Sequence, residues 1–202
     1  MKADLRIQKT KDRLYKSLIE LMEQIPFYEI RIVTLLQHSG VSKNTFYRHY
    51  QSLYELYYEM MDLTMHSFCH ALRKKNPPLH VNPSYALTLQ SLHYQRILTI
   101  ALKSTSPNIL VDLLQKHYRQ IDAPHIERQL TFFPSEYAQY LDPELYYGLG
   151  SITTLHSISY VLAHPHVPID ELAQTLYANS YLYEKVCTRH DFATAGDYCE
   201  IP

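Results

Sequence analysis

Apolar residues recur three and four positions apart along most of the chain, as in Leu14, Leu18, Leu21, Met22 and Ile25, and they do not alternate as a half-buried strand requires. With four glycines in 202 residues and no hairpin signal, that period predicts an all-α protein of about nine helices. The first helix spans about residues 4 to 25 and stops where Pro26 cannot continue it. A short second helix, about 30 to 38, buries Ile32, Leu35 and Leu36. Gly40 then permits a sharp turn, Ser42 is a ready N-cap, and a third short helix faces inward with Val41, Phe46 and Tyr50. A fourth runs from about Ser52 to Lys74, with Leu53, Leu56, Tyr57, Met60, Leu63, Thr64 and Ala71 along its apolar side. The proline-rich "KKNPPLHVNPS" reads as a loop, followed by helices at about 84 to 103, 107 to 120, 125 to 140, 143 to 163 and 168 to 187. Asp142-Pro143 is an N-cap followed by proline at the first helical position. Residues 189 to 202 have no period and are expected to fray as a tail.

A formal charge of -1 conceals an asymmetry. Residues 1 to 50 hold nine Lys and Arg against five acids, and the remainder ten against fifteen. A basic unit on an acidic body suits nucleic-acid binding, because neutralised phosphates release counterions. Three cysteines without a CxxC spacing suggest neither a disulfide framework nor a cysteine zinc site, and a cytoplasmic location is expected. No segment is apolar and long enough to span a bilayer, so no membrane partner is expected.

Two short helices joined by about three residues around a glycine form a helix-turn-helix, whose second helix enters a major groove. Lys43, Asn44 and Thr45 then meet base edges: lysine donates to guanine, asparagine pairs with adenine, and threonine offers a hydroxyl or a methyl. Tyr47, Arg48 and His49 lie a turn further on and reach phosphates, while Ser42 and the free amides at the helix start offer an anion site. Arg31, at the start of the second helix, adds a further charge for phosphate.

The stretch "GVSKNTFYRHYQSLYEL", preceded by "PFYEIRIVTLLQHS" and by "RIQKTKDRLYKSLIELME", resembles the N-terminal domain of the tetracycline-repressor (TetR) family over about residues 8 to 60. "LYYGLGSITTLHSISYVLA" and "PIDELAQTLYA" are similar, more loosely, to that family's last two helices. The resemblance implies a DNA-binding domain over residues 1–50 with the start of helix 4 to about 60, and a helical regulatory and dimerisation domain over 51–188. It implies a homodimeric regulator, by default a repressor, that binds a pseudo-palindromic double-stranded operator and responds to a small-molecule effector. It also assigns Lys43, Asn44 and Thr45 to bases and Tyr47 and His49 to phosphates. Two positions depart from the family pattern: Leu53 stands where a phosphate-reaching lysine is usual, and Val33 where a polar groove-facing residue is common. Those departures motivate an alternative, a regulator of the same fold acting mainly through a protein partner.

Tyr85, His93, Tyr94, His117, Tyr118, Phe133 and Tyr137 are the candidate pocket residues, since aromatic walls with polar tips suit a flat or cationic ligand. Leu149, Ile152, Leu155, Leu172, Leu176 and Tyr183 are the candidate dimer contacts, each equally able to serve as intrachain core. Asp62, His66 and His70, spaced four apart beside Cys69, have a spacing that suits a metal, but the sequence nominates no further ligand and no metal is expected. No glycine-rich phosphate loop, GxSxG turn or HExxH motif is present, so neither catalysis nor a cofactor is expected.

Overall fold

The structure, a computed structural model, describes residues 2–73, 83–104, 107–122 and 142–189. These form α1 (Lys2–Met22), α2 (Ile32–Ser39), α3 (Lys43–His49), α4 (Leu53–Arg73), α5 (Pro83–His93), α6 (Gln95–Ser104), α7 (Pro107–Asp122), α8 (Pro143–Ala163) and α9 (Ile169–Arg189), with no strand among the described residues. The expected helix at 125 to 140, the proline-rich loop up to residue 82 and the tail from residue 190 onward lie outside them; Pro83 and Ser84, expected in the loop, and Arg189, expected in the tail, are helical, in α5 and α9.

The N-terminal helices follow local rules. Leu14, Leu18, Leu21 and Met22 are buried along one side of α1. The chain turns through Pro26 and a 3₁₀ turn at Phe27–Glu29 before α2. Gly40 closes α2 with φ 62°, a left-handed conformation that costs a residue without a Cβ nothing. Arg13 on α1 donates from Nη2 to the Ser39 carbonyl at 2.7 Å, and a Cβ added to Gly40 would lie 2.8 Å from that nitrogen. The hydroxyl of Ser42 caps α3 by accepting the Thr45 amide at 3.2 Å. Ser52 opens α4 likewise, accepting the Glu55 amide at 3.1 Å, while Glu55 reaches back to the Gln51 amide at 2.6 Å.

Around α4 the chain builds its body. This helix packs against α1, α5 and α7 at once, α8 lies on α5, α6 and α7, and α9 lies on α5. Facing three neighbours, α4 buries a broad band that includes Met61, Met65, Phe68 and Cys69 as well as Leu56, Tyr57 and Met60. Leu63, expected on the apolar side, is 50% exposed because it falls on the remaining outward strip. One apolar core runs from Leu14 and Phe46 through α4 to Leu113 and Ile158, so the N-terminal helices share their interior with the body.

The helix expected over 84 to 103 is broken at Tyr94. Before the break, the buried hydroxyls of Thr88 and Ser91 donate to the carbonyls of Ser84 and Leu87, each at 2.8 Å. At α8, Asp142 accepts the amides of Glu144 and Leu145 at 2.7 and 3.1 Å with Pro143 in the first turn, the arrangement its sequence predicts. No helix among the described residues is long and apolar enough to cross a membrane.

Candidate functional site

Helix α3 is divided along its length. Its back is held by Phe46, with Val41 before it and Tyr50 after it, all buried. The Phe46 ring meets Tyr47 edge-on at 5.4 Å and Tyr50 at 5.7 Å. Tyr50 is anchored further: its hydroxyl donates to that of Tyr15 at 3.3 Å, and the Lys11 ammonium lies 5.5 Å from its ring centre while bonding Glu59 at 2.5 Å. Burial, and then the bonds to Tyr15 and Glu59, push the Tyr50 phenol far above its ordinary pKa, so it stays a neutral donor. Residues of α1 and α4 thereby fix the end of α3 in place.

The front of α3 is open. Ser42, Lys43, Asn44, Tyr47 and Arg48 are exposed, while Thr45 and His49 are half-buried. Lys43 has only the Tyr47 ring, 6.0 Å from its ammonium to the ring centre, and neither it nor Arg48 or Arg31 pairs with a carboxylate among the described residues. Two side chains are partly occupied: the Ser42 and Thr45 hydroxyls bond each other at 2.8 Å. Arg31 precedes α2, is exposed and makes no capping bond. Val33 on α2 is 63% exposed, whereas Leu53 is half-buried against the core, which accounts for an apolar residue there. Seven of the eight residues nominated from sequence, Ser42 to Thr45 and Tyr47 to His49, cap or lie on α3, and Arg31 stands at the start of α2.

Of the candidate pocket residues, His93, Tyr94, His117 and Tyr118 have described side chains, and the rings of His93 and Tyr94 meet edge-on at 4.7 Å. His117 is 3% exposed and bonds Asp62 Oδ1 through Nε2 at 2.7 Å, and the Tyr118 hydroxyl bonds that of Thr154 at 2.8 Å. Tyr94 packs edge-on against Phe68, and His93 is exposed. The side chain of Tyr85, and Phe133 and Tyr137 altogether, lie outside the described residues. A cleft of about 600 Å³ is formed by the end of α1, by α5 and α6, and by the end of α8, and no nominated residue lines it. Long-range packing creates it, and no short motif announces it.

At the α4–α7 contact, Asp62 receives the Lys116 ammonium at 2.7 and 2.8 Å as well as His117. Burial raises the Asp62 carboxyl pKa, but the bonds from Lys116 and His117 outweigh it and hold the group below the usual range. The ring of His66 lies 4.3 Å from that of His70 and 5.3 Å from that of His117. Asp62 is thus an ion-pair partner, and among the described residues no group of three or more His, Cys, Asp or Glu could hold a metal.

Of the dimer candidates, Leu149 and Ile152 are each 55% exposed on α8, and Leu145, not nominated, extends their stripe at 62%. Its position four residues before Leu149 was the available signal. Leu155 and Leu172 are buried within the chain at 8% and 1%. Leu176 is half-buried, and the Tyr183 side chain lies outside the described residues. No family model matches the chain, and no curated protein matches it.

Proposed function

We propose that the chain is a homodimeric, ligand-responsive transcription regulator of the cytoplasm, a repressor by default and not an enzyme, that reads a pseudo-palindromic operator through a helix-turn-helix made by α2 and α3. The division of α3 carries this reading: a back buried on Phe46 and a front of Lys43, Asn44, Tyr47 and Arg48 left without carboxylate partners among the described residues. Groups so placed cost nothing to present to a duplex, since no internal ion pair must break first. Lys43, Asn44 and Thr45 read bases, while Arg31, Tyr47, Arg48 and His49 set position on phosphates. Residues 1–50 with the start of α4 form the reading unit, and residues 51–188 form the regulatory and dimerising body.

The exposed stripe of Leu145, Leu149 and Ile152 supports pairing of two copies along α8. Fluorescence anisotropy with duplex from upstream of the gene tests the whole reading. Binding should weaken steeply between about 50 and 200 mM salt. No affinity at the lower salt overturns it.

A second reading is favoured by two observations, the exposed apolar Val33 and the inward Leu53, each of which replaces a polar groove or phosphate contact. On that reading the fold acts mainly through a protein partner. One lost phosphate contact lowers the salt slope by about one unit, so a shallow slope with residual binding favours the partner reading.

A further inference from the structure

The cleft between α1, α6 and the end of α8 has the makings of a ligand site that the sequence does not announce. Its apolar wall is Met22, Leu92, Ile100 and Leu162, of which Met22 and Ile100 are almost fully buried. Its polar residues include one carboxylate and two cations: Glu23, Arg96 and Lys103. Arg96 and Glu23 satisfy each other across the cleft, Nε to Oε1 at 2.6 Å and Nη2 to Oε2 at 2.9 Å. The guanidinium holds the Glu23 carboxyl below its ordinary range, so that pair stays ionised and closed. Lys103, seven residues along the same face of α6 and about 10 Å further on, has no carboxylate partner among the described residues. One positive charge is left over beside an apolar wall, in a space of about 600 Å³ that falls in the usual range for small-molecule sites.

We propose that this cleft binds a small amphipathic anion, a single carboxylate on a short apolar body, with the carboxylate on Lys103 and the body along Met22, Ile100 and Leu162. The apolar wall takes the body of the ligand, and the charge selects the anion over neutral analogues. This deepens the ligand-responsive part of the function proposed above, and rests on it only for its regulatory meaning. Met22 ends α1, with Glu23 in the turn just after it, and α1 packs on α2. An occupied cleft therefore bears directly on the helix that carries the reading unit.

Isothermal titration of the full chain without DNA tests the site, using decanoate and, for a flatter body, 4-phenylbutyrate. At least one should bind saturably with one site per chain, and n-decanol should bind more weakly than decanoate. Lys103→Glu should weaken the bound carboxylate about tenfold, while Lys103→Arg retains it. Because Lys103 is exposed, both variants should melt as the parent does, and the melt is recorded alongside. Failure of both carboxylates to bind, equal binding of the alcohol, or indifference to Lys103→Glu overturns the proposal. A chain that binds decanoate but no duplex sinks the regulator reading and leaves the cleft intact; one that binds duplex but neither carboxylate does the reverse.

Discussion

Helices α3 and α7 carry nearly the same polar side chains and use them in opposite ways. Lys43, Tyr47 and His49 on α3 stand beside Lys116, His117 and Tyr118 on α7 as a lysine, a phenol and an imidazole within one or two turns. On α7 all three are spent inside the molecule: Lys116 and His117 on Asp62, and the Tyr118 hydroxyl on Thr154. On α3 the lysine and the phenol face outward with each other for company. Residue type alone therefore does not mark an interaction surface. The informative difference is whether the fold has already neutralised the charge.

That contrast can be broken first at the residue beneath the open face. Phe46→Ala should cost about 3–5 kcal/mol, the usual penalty for emptying an aromatic core site, because Phe46 is fully buried. At about 2–4 °C per kcal/mol for a chain of this size, thermal melting should fall by roughly 6–20 °C, and duplex binding should be lost with the docking of α3. Next comes the closed cluster. Asp62→Ala strands the Lys116 ammonium and the buried His117, and should cost about 1–3 kcal/mol, less than a fully buried pair because Lys116 is partly screened by solvent. Duplex affinity measured in the cold should be unchanged.

Lys43→Ala with Tyr47→Ala is the mirror experiment. Melting should stay within about 0.5 kcal/mol of the parent, while affinity for the duplex should fall about tenfold to a hundredfold. Equal affinity would show that the open face touches no nucleic acid. Leu149→Lys with Ile152→Lys should convert a dimer at micromolar concentration into a monomer by sedimentation velocity, since two charges would be buried in an apolar contact.

The smallest effect concerns pH. The Asp62 carboxyl is held below its ordinary value of 3.8, so its pairings add stability fully above that value and lose it as acid protonates the group in the folded state. The melting difference between the parent and Asp62→Asn should therefore be greatest above about pH 4 and shrink as the pH falls below it. A difference that grows in acid would reverse the assignment.

The parts of this structure that were legible are those ruled by near neighbours in the chain. Gly40 and Ser42 fix a turn and a cap within a few residues, and the inward Val41, Phe46 and Tyr50 follow from period alone. Asp142-Pro143 sets the start of α8 in the same way. Leu63 was misplaced because a one-sided stripe is the wrong template for a helix with three neighbours. The break at Tyr94 was missed because no glycine or proline flags it. The cleft was invisible for a different reason: its defining pair, Glu23 and Arg96, is 73 residues apart.

The guanidinium of Arg13 bolts the Gly40 bend to α1 at 2.7 Å, and there is no room for a side chain at Gly40 without evicting it. From that bolt to the tip of α1 at Met22 is about 13 Å of uninterrupted helix. The helix is thus fastened to the bend at mid-length, and its last residue, Met22, is buried and forms part of the cleft wall. On the cleft proposal, a ligand against Met22 and the bend at Gly40 would be joined by one continuous helix, with no loop between them.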